Sequence, residues 1–304
     1  MLQSMTLSAA TPDMPNRKGL QRDERIERLL SLALAVPGLA IVALFVLLPC
    51  GWLFYLSLYG GDGSLGMENY ERVINGASYW RIFLTTFEIS LQTTVACVLI
   101  GVPFASFMTN LHARQSSFFL AAILLPFWTS ILVRAYAWLV LLQGNGLINN
   151  ALVATGIVDQ PLQLAYGQFA TVLGMTHAML PIFILPVLGA MRSIDRGLIR
   201  AASSLGASRS YTYRRVFLPL AAPGILAGAI LVFVMCLGFY ITPAIVGGGN
   251  VTVISMRIAR SLSNYSNWGA VSALGVLLLF ATGALFALSY VFQKRLFTRQ
   301  RASQ

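Results

Sequence analysis

IRAASSLGASRSYTYRRVFLPLAAPGI, residues Ile199 to Ile225, is a polar, basic run set between two long apolar stretches. Crossing about 30 Å of hydrocarbon as a helix takes roughly 20 apolar residues. Runs of that kind occur at 31–58, 84–110, 117–142, 166–190, 221–246 and 270–292. The 304-residue chain is 57% hydrophobic and 10% charged, with a mean hydropathy of +0.73, whereas soluble domains carry about 25% charged residues. The expectation is an all-α integral membrane protein with six transmembrane helices in one continuous membrane-embedded unit.

Six spans place both termini on one side. Five basic residues stand in the N-terminal tail (Arg17, Lys18, Arg22, Arg25, Arg28), one in the second loop (Arg114), six in the fourth loop and four in the C-terminal tail. The alternate loops hold Arg72, Arg81, Arg257 and Arg260, while Arg134 lies within a span. The positive-inside rule therefore makes both termini and the Met191–Leu220 loop cytoplasmic. The acids Asp62, Glu68, Glu71, Glu88 and Asp159 fall at or beyond the outer boundary. The expected division is a cytoplasmic tail at 1–30, a first transmembrane helix at 31–58, a core at 80–292 containing the 191–220 loop, and a second tail at 293–304. The apolar run at 31–58 is far longer than the ~7–15 residues of a signal-peptide core, so it reads as an uncleaved helix.

The formal charge of +11 does not indicate nucleic acid, because the 21 basic residues flank apolar runs and are not interleaved with exposed aromatics. Cys50, Cys97 and Cys236 lie inside apolar runs as small hydrophobes, without ligand or disulfide spacing. A phosphate-binding loop ends in lysine, and the lysines here are Lys18 and Lys294, in the tails. His112 and His177 have no paired metal-ligand spacing, and no GxSxG elbow occurs. These absences lead to the expectation of a chain without its own ATPase site, metal, cofactor or catalytic residue. Gly224 and Gly228, four residues apart, permit close helix approach, as ordinary packing or as a subunit interface.

Within the loop, Asp195 precedes a helical segment from Leu198 through Ala201, Ala202 and Leu205 to Gly206, where glycine can end a helix in the left-handed conformation. A second short helix from Ser208 to Phe217 is expected to stop at Pro219. The small Ala201 and Ala202 permit another protein's groove to approach the backbone, and the arginines supply charge for pairing. A solvated positive-inside loop at the headgroups fits the same residues, and the physics leaves both open.

This loop resembles the cytoplasmic EAA loop of binding-protein-dependent ABC importer permeases, with the pattern E-A-A-x3-G-x9-I-x-L-P. Ala201, Ala202, Gly206, Leu218 and Pro219 match in register, Val216 replaces the isoleucine, and Arg200 stands in place of the glutamate. LLPFWTSILVRAYAWLVLL at 124–142, GLINNALVATGIVDQPL at 146–162, GMTHAMLPIFILPVLGAM at 174–191 and GFYITPAIVGG at 238–248 resemble spermidine/putrescine-type permeases, as NYSNWGA at 264–270 does more loosely. The resemblance covers roughly residues 80–292. It implies a type I importer permease architecture in a bacterial inner membrane. The implied partners are cytoplasmic ABC ATPase subunits gripping the loop, a second permease subunit in a heterodimer, a periplasmic solute-binding protein and the lipid bilayer. The implied solute is polyamine-like or a related small amine or amino acid derivative. Arg200 puts the polar contact usual at that position in question.

Charges inside the bilayer are costly and mark candidate pathway residues. Glu88 is one, although a position near the outer end of its span also lets it reach the interface. Arg134 is the other, expected to pair with Glu88 or with helix carbonyls in preference to substrate. For a cation, Glu88, Asp159, Trp128, Tyr136, Trp138 and Tyr240 offer carboxylates and aromatic faces; the aromatics equally suit an interfacial belt. The rival readings are an ion-coupled secondary transporter, disfavoured by the lack of an internal repeat, and a membrane enzyme, for which no catalytic constellation is present.

Overall fold

A computed structural model describes residues 17–60, 64–265 and 268–301. Asp62, residues 1–16 of the N-terminal tail, residues 302–304, and Ser266 and Asn267 of the NYSNWGA segment lie outside the described residues. The chain forms two compact units, the first ending at Tyr55 and the second beginning at Leu56. The first is occupied by helix α1 (Arg17–Ser57), which runs through Pro37 and Pro49. From Ala33 onward α1 is apolar enough to cross a membrane, and a helix hydrophobic on every side suits a bilayer.

The second unit is built around α3 (Ala77–Thr109), α7 (Gln168–Arg192) and α10 (Leu218–Leu237). Residues Ile89, Cys97 and Met108 of α3, Met175, Phe183, Ile184 and Val187 of α7, and Ala221, Val232 and Cys236 of α10 form one buried cluster. Close approach depends on glycine. A Cβ on Gly101 would collide with the Phe183 ring, and one on Gly224 with the Cβ of Ala190; at Gly228 it would lie 3.1 Å from Val187 and 3.2 Å from Phe183. Gly224 and Gly228 therefore serve packing of α10 on α7 within this chain, where the small-residue spacing alone left a subunit interface open.

Several buried hydroxyls of these helices bond within their own helix. Thr86, Ser90, Thr94 and Thr176 each donate to the carbonyl four residues earlier, at 2.7 Å, as hydroxyls in lipid-embedded helices must. Among the described residues, six segments are long and apolar enough to span a membrane: Ala33–Ser57, Ala77–Thr109, Ile131–Ala154, Gln168–Arg192, Arg209–Leu237 and Trp268–Ala287.

Several expected boundaries are corrected. The run at 117–142 is not one helix: α4 (Ala113–Leu124) gives way to a 3₁₀ turn at Leu125–Trp128, the chain extends at Thr129, and α5 (Ile131–Leu142) follows. Pro126 lies in that turn, and Thr129 holds it by donating from both its backbone N–H (3.1 Å) and its hydroxyl (2.7 Å) to the Pro126 carbonyl. The run at 221–246 likewise breaks, with α10 ending at Leu237 and α11 (Ile241–Val246) resuming after Gly238 and Phe239. The Ser255 hydroxyl, donating to the Phe239 carbonyl at 2.8 Å, satisfies the break.

Loops that the apolar pattern left featureless are helical. They hold α2 (Glu68–Asn75), α6 (Leu147–Ala154) and α12 (Ile254–Tyr265), and α13 (Trp268–Arg301) ends the described chain. Asn149 of α6 is fully buried. It donates to the carbonyls of Gln143 and Leu162 at 3.0 Å and accepts from the Leu162 N–H at 2.8 Å, tying the α5–α6 turn to the chain that leads into α7.

Candidate functional site

Two constellations occupy opposite ends of the α3–α7 pair, which run in the same direction because Glu88 meets Gln168 near their starts and Arg196 meets Thr109 near their ends. Beyond α7, Asp195 caps α8 (Arg196–Ser204) by accepting from the Gly197 N–H at 2.8 Å. Gly206, with φ +84, follows the last turn in the left-handed region, where a side chain costs roughly 1–2 kcal/mol. Ser208 then caps α9 (Arg209–Thr212) through the Tyr211 N–H. No residue of α8 is buried, and Leu205 at its end is 89% exposed. Arg200 and Ala201 are exposed and Ala202 half-buried, so the face that the sequence offers for docking is free.

The second loop helix does not stop at Pro219. Tyr213–Phe217 form a π-helical turn that runs directly into α10, placing Leu218 and Pro219 in its first turn. A proline within an α-helix clashes with the carbonyl four residues back, and a wider π turn relieves that clash. The loop is therefore continuous with α10 through stacked Tyr213 and Phe217, whose ring centroids lie 5.6 Å apart. At its other side Arg192 donates to the Ser116 hydroxyl of α4, and Arg196 to the Thr109 carbonyl of α3 at 2.7 Å.

At the other end, Glu88 lies eleven residues into α3, about 16 Å from its start at 1.5 Å per residue. Its Oε1 accepts from Gln92 at 3.1 Å and from Gln168 at 2.8 Å, and Gln168 also donates to Gln92 at 3.1 Å. One exposed carboxylate is thus held by two carboxamides on two helices, an arrangement able to accept further donors from a cation. Nearby in sequence, Tyr166 adopts φ +59, a rare conformation for an aromatic residue. Its carbonyl accepts from Asn250 at 2.7 Å. Neither glutamine nor Tyr166 stood out in the sequence, since uncharged polar residues at span ends are common.

None of the remaining pathway candidates bonds to Glu88 among the described residues. Arg134 pairs with neither Glu88 nor a helix carbonyl; its guanidinium lies 5.8 Å from the centroid of the Phe127 ring, and its Nε and Nη1 have no hydrogen-bond partner. The break between α4 and α5 folds Phe127 back to meet it. One turn along α5, Trp138 donates to His177 Nδ1 at 3.1 Å, which leaves the proton of a neutral imidazole on Nε2. His177 is thereby a hydrogen-bonded helix residue. Trp128 is 91% exposed, and Tyr136, Tyr240 and Asp159 are exposed on α5, at the start of α11 and in the bend before α7.

A helical bundle whose exposed, doubly capped loop interrupts two spans defines a polytopic membrane transport component. Residues 98–301 match the family described as binding-protein-dependent transport system inner membrane component, and the chain belongs to it. It is 32% identical to the spermidine/putrescine transport system permease protein PotB of Haemophilus influenzae, over 78% of this chain and 85% of that protein. It is 33% identical to the inner membrane ABC transporter permease protein YdcU of Escherichia coli, over 77% of this chain and 76% of that one. Among solved structures, a chain of a bacterial alginate ABC transporter superposes with a TM-score of 0.71 at 18% identity, covering 93% of this chain and 98% of that one, a likeness of fold. The protein is a multi-pass inner-membrane permease subunit of an ABC importer.

Proposed function

We propose that this chain forms one half of the translocation pathway for a polyamine-like cation delivered by a periplasmic binding protein. It has no ATPase site of its own, and it pairs with a second, related permease and with cytoplasmic ATPase subunits that grip α8. In this reading both termini and the α8–α9 loop face the cytoplasm, and Glu88 lies toward the periplasm. The observation that carries the reading is α8, capped at both ends and with no residue buried, a rigid projection joined through the π turn to α10. Displacing such a lever moves α10 against α7 as a rigid body. The solute class rests on the relatives named for spermidine and putrescine, and on the Glu88 carboxylate with its two glutamines.

The test is co-reconstitution of the permease pair and its ATPase in proteoliposomes with the cognate binding protein. Spermidine or putrescine should stimulate ATP hydrolysis and enter the vesicles. A chain that never co-purifies with an ATPase, or a transporter that ignores both polyamines while accepting an uncharged solute, overturns the reading.

A further inference from the structure

Between α8 and the ends of α3 and α7, a cavity of about 450 Å³ is lined by Arg192, Arg196 and Arg200 together with Met191, Ile199 and Phe217. Arg196 and Arg200 stand one turn apart on α8, where like charges repel, and no acid among the described residues lines the cavity. Arg192 and Arg196 each spend one donor, on Ser116 and on the Thr109 carbonyl, while Arg200 has no side-chain hydrogen bond or ion pair among the described residues. Three guanidiniums, each with five N–H groups, therefore converge on one space with most of their donors uncommitted.

We propose that this cavity binds the phosphate of an anionic phospholipid. Guanidinium forks match phosphate oxygens in geometry and charge. The same cavity is lined by the apolar Met191, Ile194, Ile199 and Phe217, which suit the glycerol and acyl portion of an amphiphile and give nothing to a free inorganic ion. The position also fits: Thr109, Asn110 and Met191 place the cavity at the ends of two membrane-spanning helices, the level of the headgroups, and basic pockets between transmembrane helices are a known manner of holding anionic headgroups. Arg200 thereby acquires a role. It supplies the third positive charge, and the bound phosphate relieves its repulsion with Arg196. The lipid would brace α8 against the end of α3, and the site is independent of which solute is carried.

The experiment is native mass spectrometry of the full-length chain, stripped of lipid in neutral detergent and titrated with phosphatidylglycerol, phosphatidylcholine or inorganic phosphate. Retention of one phosphatidylglycerol per chain, in preference to phosphatidylcholine and undisturbed by millimolar inorganic phosphate, is the expected result. Arg200→Gln should weaken it about fivefold and Arg196→Gln/Arg200→Gln further, by roughly the same factor for each arginine neutralised. Arg200→Glu, which places an acid inside the cavity, should abolish the preference. Should the double variant fail to fold, the Arg200 variants alone decide, since that side chain makes no hydrogen bond or ion pair among the described residues. Equal retention of both lipids, retention unchanged by Arg200→Glu, or inorganic phosphate displacing the lipid overturns the proposal, the last by making it a soluble-anion site.

Discussion

Glu88 and Gln168, eighty residues apart in sequence, are joined at 2.8 Å across α3 and α7, and Gln92 closes the triangle by bonding to both. The carboxylate is thus positioned before any solute arrives.

Glu88→Gln keeps the shape of this cluster and removes its charge. Because a hydrogen bond to a charged group is worth about 1.5–3 kcal/mol, KM for a cationic solute should rise roughly tenfold or more. Assembly with the ATPase should be unchanged. Uptake kinetics in proteoliposomes check this, and unaltered kinetics would remove Glu88 from the pathway.

Leu205 is the most protruding apolar group of the α8–α9 loop at 89% exposure, and Leu205→Ser loses no internal packing. As an anchor in an ATPase groove its loss should weaken association by about tenfold or more, read by pull-down of the ATPase, while the melting temperature of the isolated chain stays constant. A stable variant that still binds fully would place the grip elsewhere on α8.

Gly206→Val forces a β-branched residue to φ +84 and should destabilise the end of α8 by roughly 1–2 kcal/mol. Its signature is reduced stimulation of ATP hydrolysis by the loaded binding protein with little loss of overall fold, because the strain sits in an exposed loop. Normal stimulation would show that α8 does not need its left-handed stop.

Gly224 and Gly189 make a paired test of helix packing. A Cβ at Gly224 meets Ala190, whereas nothing lies within 4 Å at Gly189. Gly224→Val should therefore cost about 1–3 kcal/mol through overpacking, and Gly189→Ala should stabilise α7 by about 0.5–1 kcal/mol. Thermal unfolding in detergent resolves the opposite signs; like signs would contradict the α7–α10 contact.

Trp138→Phe deletes the donor to His177 Nδ1. The loss should be about 1 kcal/mol, the scale of interhelical hydrogen bonds in membranes. Combined with His177→Leu it should be less than additive, and full additivity in unfolding measurements would mean that the 3.1 Å contact contributes nothing.

Much of this was legible beforehand because the bilayer imposes a one-dimensional rule. Twenty apolar residues make a span wherever they occur, and five of the six spans among the described residues fall mainly on the runs read from composition, while the third, Ile131–Ala154, shares with its run at 117–142 only the α5 segment. The caps at Asp195 and Gly206 were legible for a similar reason, since capping is decided within a few residues. Proline was harder to read. Pro103, Pro181, Pro186 and Pro223 sit inside continuous helices, while Pro126 marks a break. The difference lies in whether a neighbour such as Thr129 fixes the broken form. Pro219 was misread as a stop because a π turn, invisible in local pattern, absorbs its ring.

By itself the sequence determined that this chain is a six-span helical membrane protein with an organised basic loop between its fourth and fifth spans, because hydropathy and capping act over neighbouring residues. Tertiary structure alone decided the rest. It bound Glu88 to Gln168, turned Arg134 onto Phe127, committed Gly224 to the α7 contact and drew Arg192, Arg196 and Arg200 around one cavity. Each of these depends on which helices lie side by side and in what register, and hydrophobicity within lipid, being without direction, leaves that to close packing and hydrogen bonding.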